Sequence, residues 1–162
     1  MALDINIKFS NGIDGESKRD GHKGAIDVLA WSWGASNSGS FHEGGGGGAG
    51  KCNVQDLSFT KWIDKSSPIL YLKCCDGTHI DEVTLTCQKA GTEALVYFKI
   101  VLKKVMVTSV STGGSGGEDR LTENVTLNFA HIDIEYQEQN EKGGKEGGAV
   151  TYKWDIEAGK SQ

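Results

Sequence analysis

Apolar and polar residues alternate with a period of two through most of this sequence, and this pattern restricts the fold more than any other feature. At the start, Leu3, Ile5, Ile7 and Phe9 are separated by polar residues. Such alternation is typical of a β-strand with one buried face, because successive side chains point to opposite sides. The same pattern predicts strands at about 3–9, 25–38, 52–63, 80–89, 94–111, 121–137 and 149–156.

The alternation changes parity at two places. In the strand predicted at 52–63 the change falls near Gln55, and in the strand predicted at 121–137 it falls at Ala130 and His131. An inserted residue moves all following side chains to the other face of a sheet. We therefore expect a β-bulge at the first place and a bulge or a switch of sheet at the second.

One segment carries the signals of a helix. Ser66 or Ser67 can cap the helix with its hydroxyl, Pro68 suits the first helical position, and Gly77 supplies a left-handed stop. We predict a short α-helix from about Pro68 to Asp76. A helix of about two to three turns is not stable alone, so it must pack against the sheet.

These elements predict a mainly β fold, a compact antiparallel β-barrel or sandwich of about seven to eight strands with one short flanking α-helix. The length of 162 residues suits a single domain, 1–162. Three glycine-rich loops are expected at about 38–51, 112–119 and 138–148, and the first of these is expected to protrude.

The composition and the N-terminal sequence exclude several classes of function. The 17 Lys and Arg residues against 22 Asp and Glu residues give a net charge of −5, and the basic residues form no stripe. Nucleic-acid binding draws most of its affinity from clustered basic residues, so we expect no nucleic-acid partner. No apolar run approaches the roughly 20 residues of a transmembrane helix, and no signal peptide is readable at the start. We therefore expect no membrane insertion.

The residue types that perform catalysis and bind metals stand in no recognised motif. Cys52, Cys74, Cys75 and Cys87 lack the spacing of a zinc site, and the 4 histidines are scattered. We expect reduced thiols, no metal, no cofactor and no enzyme activity.

The first glycine tract does not match a phosphate-binding loop. It leads into Lys51 and Cys52, whereas such a loop needs Gly-Lys-Ser/Thr entering a helix. Ordering consecutive glycines costs roughly 1–2 kcal/mol per residue, so the loop is either flexible or held by something outside its own fold. A neighbouring subunit would hold it, with Phe41 and His42 as contacts.

Four stretches of the sequence follow one another in a characteristic order. They are Val28-Leu-Ala-Trp-Ser-Trp-Gly34, Gly44-Gly-Gly-Gly-Gly-Ala-Gly-Lys51, Val54-Gln-Asp-Leu-Ser-Phe-Thr-Lys61 and Ser109-Val-Ser-Thr-Gly-Gly-Ser-Gly-Gly-Glu-Asp-Arg-Leu-Thr-Glu-Asn124. Together they resemble the haemolysin-coregulated protein (Hcp) family, the tube proteins of bacterial type VI secretion. The resemblance extends from Leu3 to about Ile156.

This resemblance implies a compact β-barrel that assembles as a hexameric ring with a wide channel. Rings of the family stack into an inner tube that a contractile sheath ejects, and the lumen carries and protects small effector proteins. The implied partners are further copies of the chain, type VI effectors, and the sheath and spike components. The implied location is the bacterial cytoplasm during assembly, followed by secretion without a cleaved signal peptide.

Two groups of residues are candidates for contacts between subunits. The resemblance implies that the loop at 38–51 reaches adjacent subunits or the next ring through Phe41, His42, Gly44, Gly45, Gly46, Gly47, Gly48 and Lys51. Glu118, Asp119 and Arg120 form a charged turn without the ligand spacing of a calcium loop. We expect this turn to make ion pairs between subunits.

Ser32 is the candidate contact for effectors. It lies between Trp31 and Trp33, so both indoles occupy one face of the predicted strand and Ser32 the other. An aromatic side chain buries roughly 150–250 Å2, which favours turning the tryptophan face inward. The resemblance places Ser32 on the channel wall, and simple exposure on a strand is the alternative.

A protein of another class is also compatible with the pattern. A monomeric carbohydrate- or ligand-binding β-sandwich would use its tryptophans as stacking platforms, namely Trp31, Trp33, Trp62 and Trp154. The mass of the particle in solution separates the two hypotheses, since only the tube protein is expected to assemble.

Overall fold

The computed structural model describes residues 3–39, 41, 48–89 and 94–162. These residues form ten β-strands and one α-helix. In chain order they are β1 (Leu3–Phe9), β2 (Ile26–Ser32), β3 (Ala35–Gly39), β4 (Ala49–Val54), β5 (Leu57–Trp62), α1 (Ser67–Asp76), β6 (Ile80–Lys89), β7 (Val96–Gly113), β8 (Thr122–Tyr136), β9 (Val150–Asp155) and β10 (Lys160–Ser161).

Six of the strands close into a barrel. Their order is β8–β5–β2–β1–β6–β7, all neighbours are antiparallel, and the pairing of β7 with β8 completes the closure. β9 and β10 extend the sheet from β8, whereas β3 and β4 form a separate two-stranded hairpin. The predicted mainly β fold with one short helix is confirmed. More strands are present than expected because the segments predicted at 25–38 and 52–63 each divide in two, and because β10 lies beyond the last predicted strand.

The interior of the barrel is filled by the apolar face that the alternation predicts. Val83, Leu85 and Cys87 of β6 are buried, and the rings of Phe9 and Phe59 meet with centroids 6.3 Å apart. Each such side chain contributes about 1.5–3 kcal/mol when it is fully buried. This core gives the outward faces of the strands a rigid support.

The helix has the predicted bounds within one residue, but its predicted capping hydroxyl is wrong. Ser66 occupies the N-cap position and makes no capping bond, because its hydroxyl donates to Asp64 instead. Gly77 ends the helix with a φ of +69°, and its N–H bonds the carbonyl of Lys73 at 3.0 Å. Nowhere in the described ranges is a helix long and apolar enough to cross a membrane.

Both predicted changes of parity mark places where the chain changes its strand partner. Near Gln55 the chain leaves β4 and enters β5, so the structure has a break between two strands where we predicted a bulge. At Ala130 and His131, β8 pairs with β5 up to Leu127 and with β9 from His131 onward. Both partners belong to the same sheet and the register of β7 and β8 does not shift there, so the structure has a change of partner where we predicted a bulge or a switch of sheet. Opposite this change of partner, Lys104 of β7 has a φ of +52°.

A bulge that the sequence did not predict lies in β2. The register between β2 and β5 shifts between Val28 and Ala30. Val28 and Trp31 therefore both contact the core, whereas Leu29 is 43% exposed. Ala30 is exposed as well, on the side of β2 that also carries Ser32.

Candidate functional site

Ser32 belongs to a row of hydroxyl side chains that crosses four strands of the barrel. Ser32 of β2 lies opposite Ser58 of β5, Ser58 lies opposite Thr126 of β8, and Thr126 lies opposite Ser109 of β7. Residues that oppose each other in antiparallel strands project from the same face. With strands about 4.8 Å apart, the row spans roughly 14 Å of the outer surface.

A second row lies beside the first, and the two rows form one small, uncharged surface. We call this surface the hydroxyl face, and it consists of Ala30, Ser32, Ser58, Thr60, Ser109, Ser111, Asn124 and Thr126. The hydroxyl of Thr60 donates to the Oδ1 atom of Asn124 at 2.6 Å. Within the described residues the hydroxyl of Ser32 makes no bond to the chain, which leaves its donor and acceptor available to a ligand.

The charged residues of the barrel lie elsewhere. On the outward side of β6 and of the opposite end of β7 and β8, Glu82 of β6 lies opposite Lys103 of β7, and Lys99 of β7 lies opposite Glu135 of β8. Opposite charges in these positions stabilise the pairing of neighbouring strands. The net charge of −5 is therefore carried entirely by residues outside the hydroxyl face.

The second candidate feature is the hairpin of β3 and β4, which we call the arm. Ala35 lies opposite Val54 and Asn37 lies opposite Cys52, and the side-chain amide of Asn37 donates to the carbonyl of Gly50 at 2.8 Å. In the described part of the chain these two strands pair with each other and with no strand of the barrel. The arm is therefore attached to the barrel through its base.

The base of the arm is fixed by two hydrogen bonds. The indole Nε1 of Trp33 donates to the carbonyl of Gln55 at 2.9 Å, and the N–H of Gln55 donates to the carbonyl of Gly34 at 2.9 Å. Farther from the base, Cys52 of β4 lies near Tyr152 of β9. Burial raises the pKa of the Tyr152 phenol above its usual value, and Cys52 adds to this effect.

The predicted contact residues of the arm are placed only in part. Phe41 is 84% exposed, Lys51 is exposed on β4, and Gly48 precedes that strand. The other predicted contacts lie outside the described residues, namely His42, Gly44, Gly45, Gly46 and Gly47. An aromatic ring as exposed as that of Phe41 gains free energy when a partner covers it.

The charged turn at 118–120 lies at the end of the glycine-rich connection between β7 and β8. Glu118, Asp119 and Arg120 are all exposed. The guanidinium of Arg120 lies 4.5 Å from the ring centroid of Trp62, a cation–π contact. Within the described residues these three side chains form no ion pair, so their predicted pairing between subunits stays a prediction.

One group of titratable residues was not predicted from the sequence. His131 of β8, Asp155 of β9 and Glu157 lie close enough together to hold a metal ion, with their nearest ligand atoms within 4.8 Å of one another. Each already has a partner in the chain. Gln162 contacts the Nδ1 atom of His131 at 2.9 Å, Lys104 pairs with Glu157 at 3.3 Å, and the N–H of Ala158 bonds Asp155 at 3.0 Å.

The closed barrel, its arm and its fold relatives define a protein of the type VI secretion machinery. A solved structure of a type six secretion system protein superposes with a TM-score of 0.93 and 29% identity, covering 99% of this chain and 100% of the relative. Hcp1 from Salmonella typhimurium superposes with a TM-score of 0.80 and 35% identity, and each chain is covered completely.

The sequence comparisons identify the family. Residues 6–136 match the family described as type VI secretion system effector, Hcp. Protein hcp1 of Pseudomonas aeruginosa PAO1 is 61% identical over 157 residues, which is 96% of each chain. This chain belongs to the Hcp family of type VI secretion proteins, and the resemblance noted in the sequence is confirmed.

Proposed function

We propose that this chain is the structural subunit of a type VI secretion tube, in which hexameric rings stack and carry effector proteins in their lumen. The observation that carries this proposal is the hydroxyl face, four strands wide and free of formal charge, beside an arm followed after β3 by the exposed ring of Phe41. Six such faces arranged around an axis would line a channel. The arms would join neighbouring copies.

The dimensions of the hydroxyl face suit a channel for small proteins. Four strands at about 4.8 Å give each copy roughly 19 Å of wall, and six copies give a circumference of roughly 115 Å. The corresponding diameter is roughly 37 Å. A domain of about 100 residues has a radius of gyration near 13 Å, so a small folded effector would fit inside.

The chemistry of this wall suits transient contact with cargo. Small hydroxyl groups donate and accept hydrogen bonds, but without charges or deep pockets they give little binding energy to any one surface. Effectors of different charge would therefore enter and leave. Ser32, with its free hydroxyl at one end of the first row, is the proposed effector contact.

The proposal also includes the partners, the location and the absence of catalysis. The partners are further copies of the chain, effectors, and the sheath and spike components. The protein is assembled in the bacterial cytoplasm and then secreted without a cleaved signal peptide. It performs no reaction of its own, because its role is to enclose and deliver other proteins.

The rival hypothesis of a carbohydrate-binding module is disfavoured by the tryptophans. Trp31 stacks on Phe98 with ring centroids 5.7 Å apart, and the indole of Trp33 is bonded to the base of the arm. Arg120 covers the ring of Trp62, and Trp154 packs against the core. A stacking platform needs an open ring face, and each of these four indoles is already in contact with its own chain.

Light scattering on the purified protein, combined with negative-stain electron microscopy, tests the assembly. Hexameric rings are the expected result, and a monomer at every concentration would overturn the proposal. The cargo contact is tested by Ser32→Gln, which adds bulk to the wall. We expect rings to form as before and the amount of co-purified effector to fall. Leu72→Gln, at an exposed position on α1 away from the hydroxyl face, is the control and should retain cargo.

A further inference from the structure

We propose that Asp56 is a positioning residue that sets the direction of the arm for assembly between subunits. Its carboxylate ties the base of the arm to two strands of the barrel. This inference rests on the proposed function, because the arm's orientation matters only if the arm engages another copy.

The attachment of the arm leaves its direction dependent on a few bonds. The arm meets the barrel at Gly34 on one side and at Gln55 on the other, and its strands pair with no barrel strand among the described residues. The two bonds across the base hold its two ends together. These two bonds do not connect the base to β8, which lies beyond β5 in the sheet, or to β7, which follows β8. Above the base, Cys52 lies near Tyr152 and Val54 packs against the core, but neither contact is a directional hydrogen bond that would set the angle of the arm.

Asp56 supplies that anchor. It lies between β4 and β5, directly after Gln55, and its two carboxylate oxygens bond two different strands. The hydroxyl of Thr108 on β7 donates to Oδ2 at 2.9 Å, and the side-chain amide of Asn128 on β8 donates to Oδ1 at 2.9 Å. Bonds to an ionised acceptor are roughly twice as strong as neutral ones.

The position of Thr108 shows that the barrel is locally shaped to make this contact. The register between β7 and β8 shifts between Val107 and Ser109, so Thr108 is the extra residue of a bulge. Bulges re-aim a side chain at the cost of one pairing. The bulge brings the Thr108 hydroxyl within 2.7 Å of the Thr126 hydroxyl. Since Thr108 donates to Asp56, Thr126 donates to Thr108, and the bonds form a continuous chain from β8 through β7 to the arm.

Asp56 carries a charge and lies beside the uncharged hydroxyl face. Thr126 belongs to the hydroxyl face, and Asn128 follows it two residues later on the same side of β8. With both oxygens bonded, the carboxylate is directed at the chain's own donors. Its role is therefore in positioning the arm, and the cargo contact remains with Ser32.

The test compares three variants at this position and its partner with a surface control. Asp56→Ala removes both bonds, Asp56→Asn retains neutral hydrogen bonding with both partners, and Thr108→Val removes one donor while keeping the shape. Asp20→Ala, at an exposed carboxylate, is the control. Light scattering over a dilution series gives the concentration of half-assembly. Amide hydrogen exchange of the segment 33–56 reports the mobility of the arm, and thermal unfolding reports the barrel.

We expect Asp56→Ala and Thr108→Val to raise the concentration of half-assembly by about tenfold or more. Exchange at the base of the arm should accelerate while the unfolding temperature of the barrel stays within a few degrees. For Asp56→Asn we expect a half-assembly concentration and exchange rates closer to those of the wild type. For Asp20→Ala we expect the wild-type values. Unchanged assembly and exchange in Asp56→Ala would overturn the inference, as would weakened assembly without faster exchange. A monomeric wild type would instead overturn the proposed function.

Discussion

The ammonium of Lys61 on β5 contacts the carboxylate of Glu123 on β8 inside the barrel, and both side chains are completely shielded from solvent. Lys61 also lies 3.1 Å from Asp64, 3.0 Å from the Ser67 hydroxyl and 3.0 Å from the carbonyl of Trp62. Four acceptors therefore surround three protons. The second oxygen of Glu123 is buried and has no hydrogen-bond partner in the described part of the chain. The cluster joins β5, β8 and the start of α1.

Breaking this buried pair from one side should destabilise the barrel strongly. Lys61→Met leaves the carboxylate of Glu123 buried without its counter-ion, and we expect the free energy of unfolding to fall by about 3–5 kcal/mol. Adding Glu123→Leu removes the stranded charge and should recover much of the loss. Urea unfolding at one fixed protein concentration measures both effects.

The exposed pair of Lys8 and Asp14 provides the matched control. Their charged atoms are 3.1 Å apart and both side chains are about half exposed, so Lys8→Met should cost about 1 kcal/mol or less. A double variant at the buried pair that is less stable than Lys61→Met would contradict this account of the cluster.

The helix offers a second test with its own control. Leu70 is completely buried against the core, whereas Leu72, two residues later, is 58% exposed. We expect Leu70→Ala to lower the free energy of unfolding by about 2–5 kcal/mol, through lost transfer energy and the cavity left behind. Leu72→Ala should change it by about 0.5 kcal/mol or less. Equal losses at the two positions, measured by urea unfolding, would show that α1 packs in another orientation.

The sequence predicts the regular strands well and the buried polar cluster not at all. β6 has its predicted bounds, because Val83, Leu85 and Cys87 alternate with polar residues and face one continuous core. Lys61 follows the same alternation after Leu57 and Phe59, but a lysine at an inward position indicates nothing about its partner. That partner, Glu123, is 62 positions away along the chain, and only the closure of the barrel brings the two together.

The candidate site could be predicted in the same limited way. The size of Trp31 and Trp33 predicts that their face turns inward and that Ser32 lies on the outward side, and the structure agrees for Trp31 and Ser32 because of the bulge between Val28 and Ala30. The row that it forms with Ser58, Thr126 and Ser109 depends on registers that two bulges adjust. Because each bulge shifts the facing of all later residues, local periodicity does not determine which hydroxyls become neighbours.

Asp155 makes the free energy of unfolding depend on pH in the acidic range. The N–H of Ala158 bonds this carboxylate, and this bond, with help from the nearby His131, lowers the pKa of Asp155 below its usual value. A carboxyl with a lowered pKa in the folded state stabilises the fold above its unfolded pKa, and the contribution disappears as the pH falls through the folded pKa. Glu157 and Gln162 complete its surroundings.

We therefore expect Asp155→Asn to be less stable than the wild type at pH 7, and the difference to shrink as the pH approaches about 3. The asparagine side chain still accepts the N–H of Ala158, whereas the negative charge beside His131 is removed. Urea unfolding at a series of pH values measures the difference. A gap that widens toward low pH would mean that Asp155 is not ionised in the way this geometry requires.

The arm contains two glycines that differ in what a side chain would meet. A Cβ atom on Gly50 of β4 would lie 2.6 Å from the backbone carbonyl of Ser38 and closer still to its hydroxyl, whereas one on Gly39 of β3 would meet nothing within 4 Å. A flexible side chain could rotate away from the added methyl group, but the backbone carbonyl of Ser38 can move only if the strand moves with it. We therefore expect Gly50→Ala to force apart the pairing of β3 with β4, and Gly39→Ala to leave it intact.

Amide hydrogen exchange of 35–39 and 49–54 measures this pairing directly, and light scattering measures its effect on assembly. Gly50→Ala should exchange faster throughout the arm, and it should require a higher protein concentration to form rings if the arm joins the copies. Gly39→Ala, which adds the same methyl group to the same hairpin, separates steric exclusion from any general effect of replacing glycine. Faster exchange in Gly50→Ala with unchanged assembly would remove the arm from the proposed interface and leave the barrel's own faces as the surfaces that join the copies.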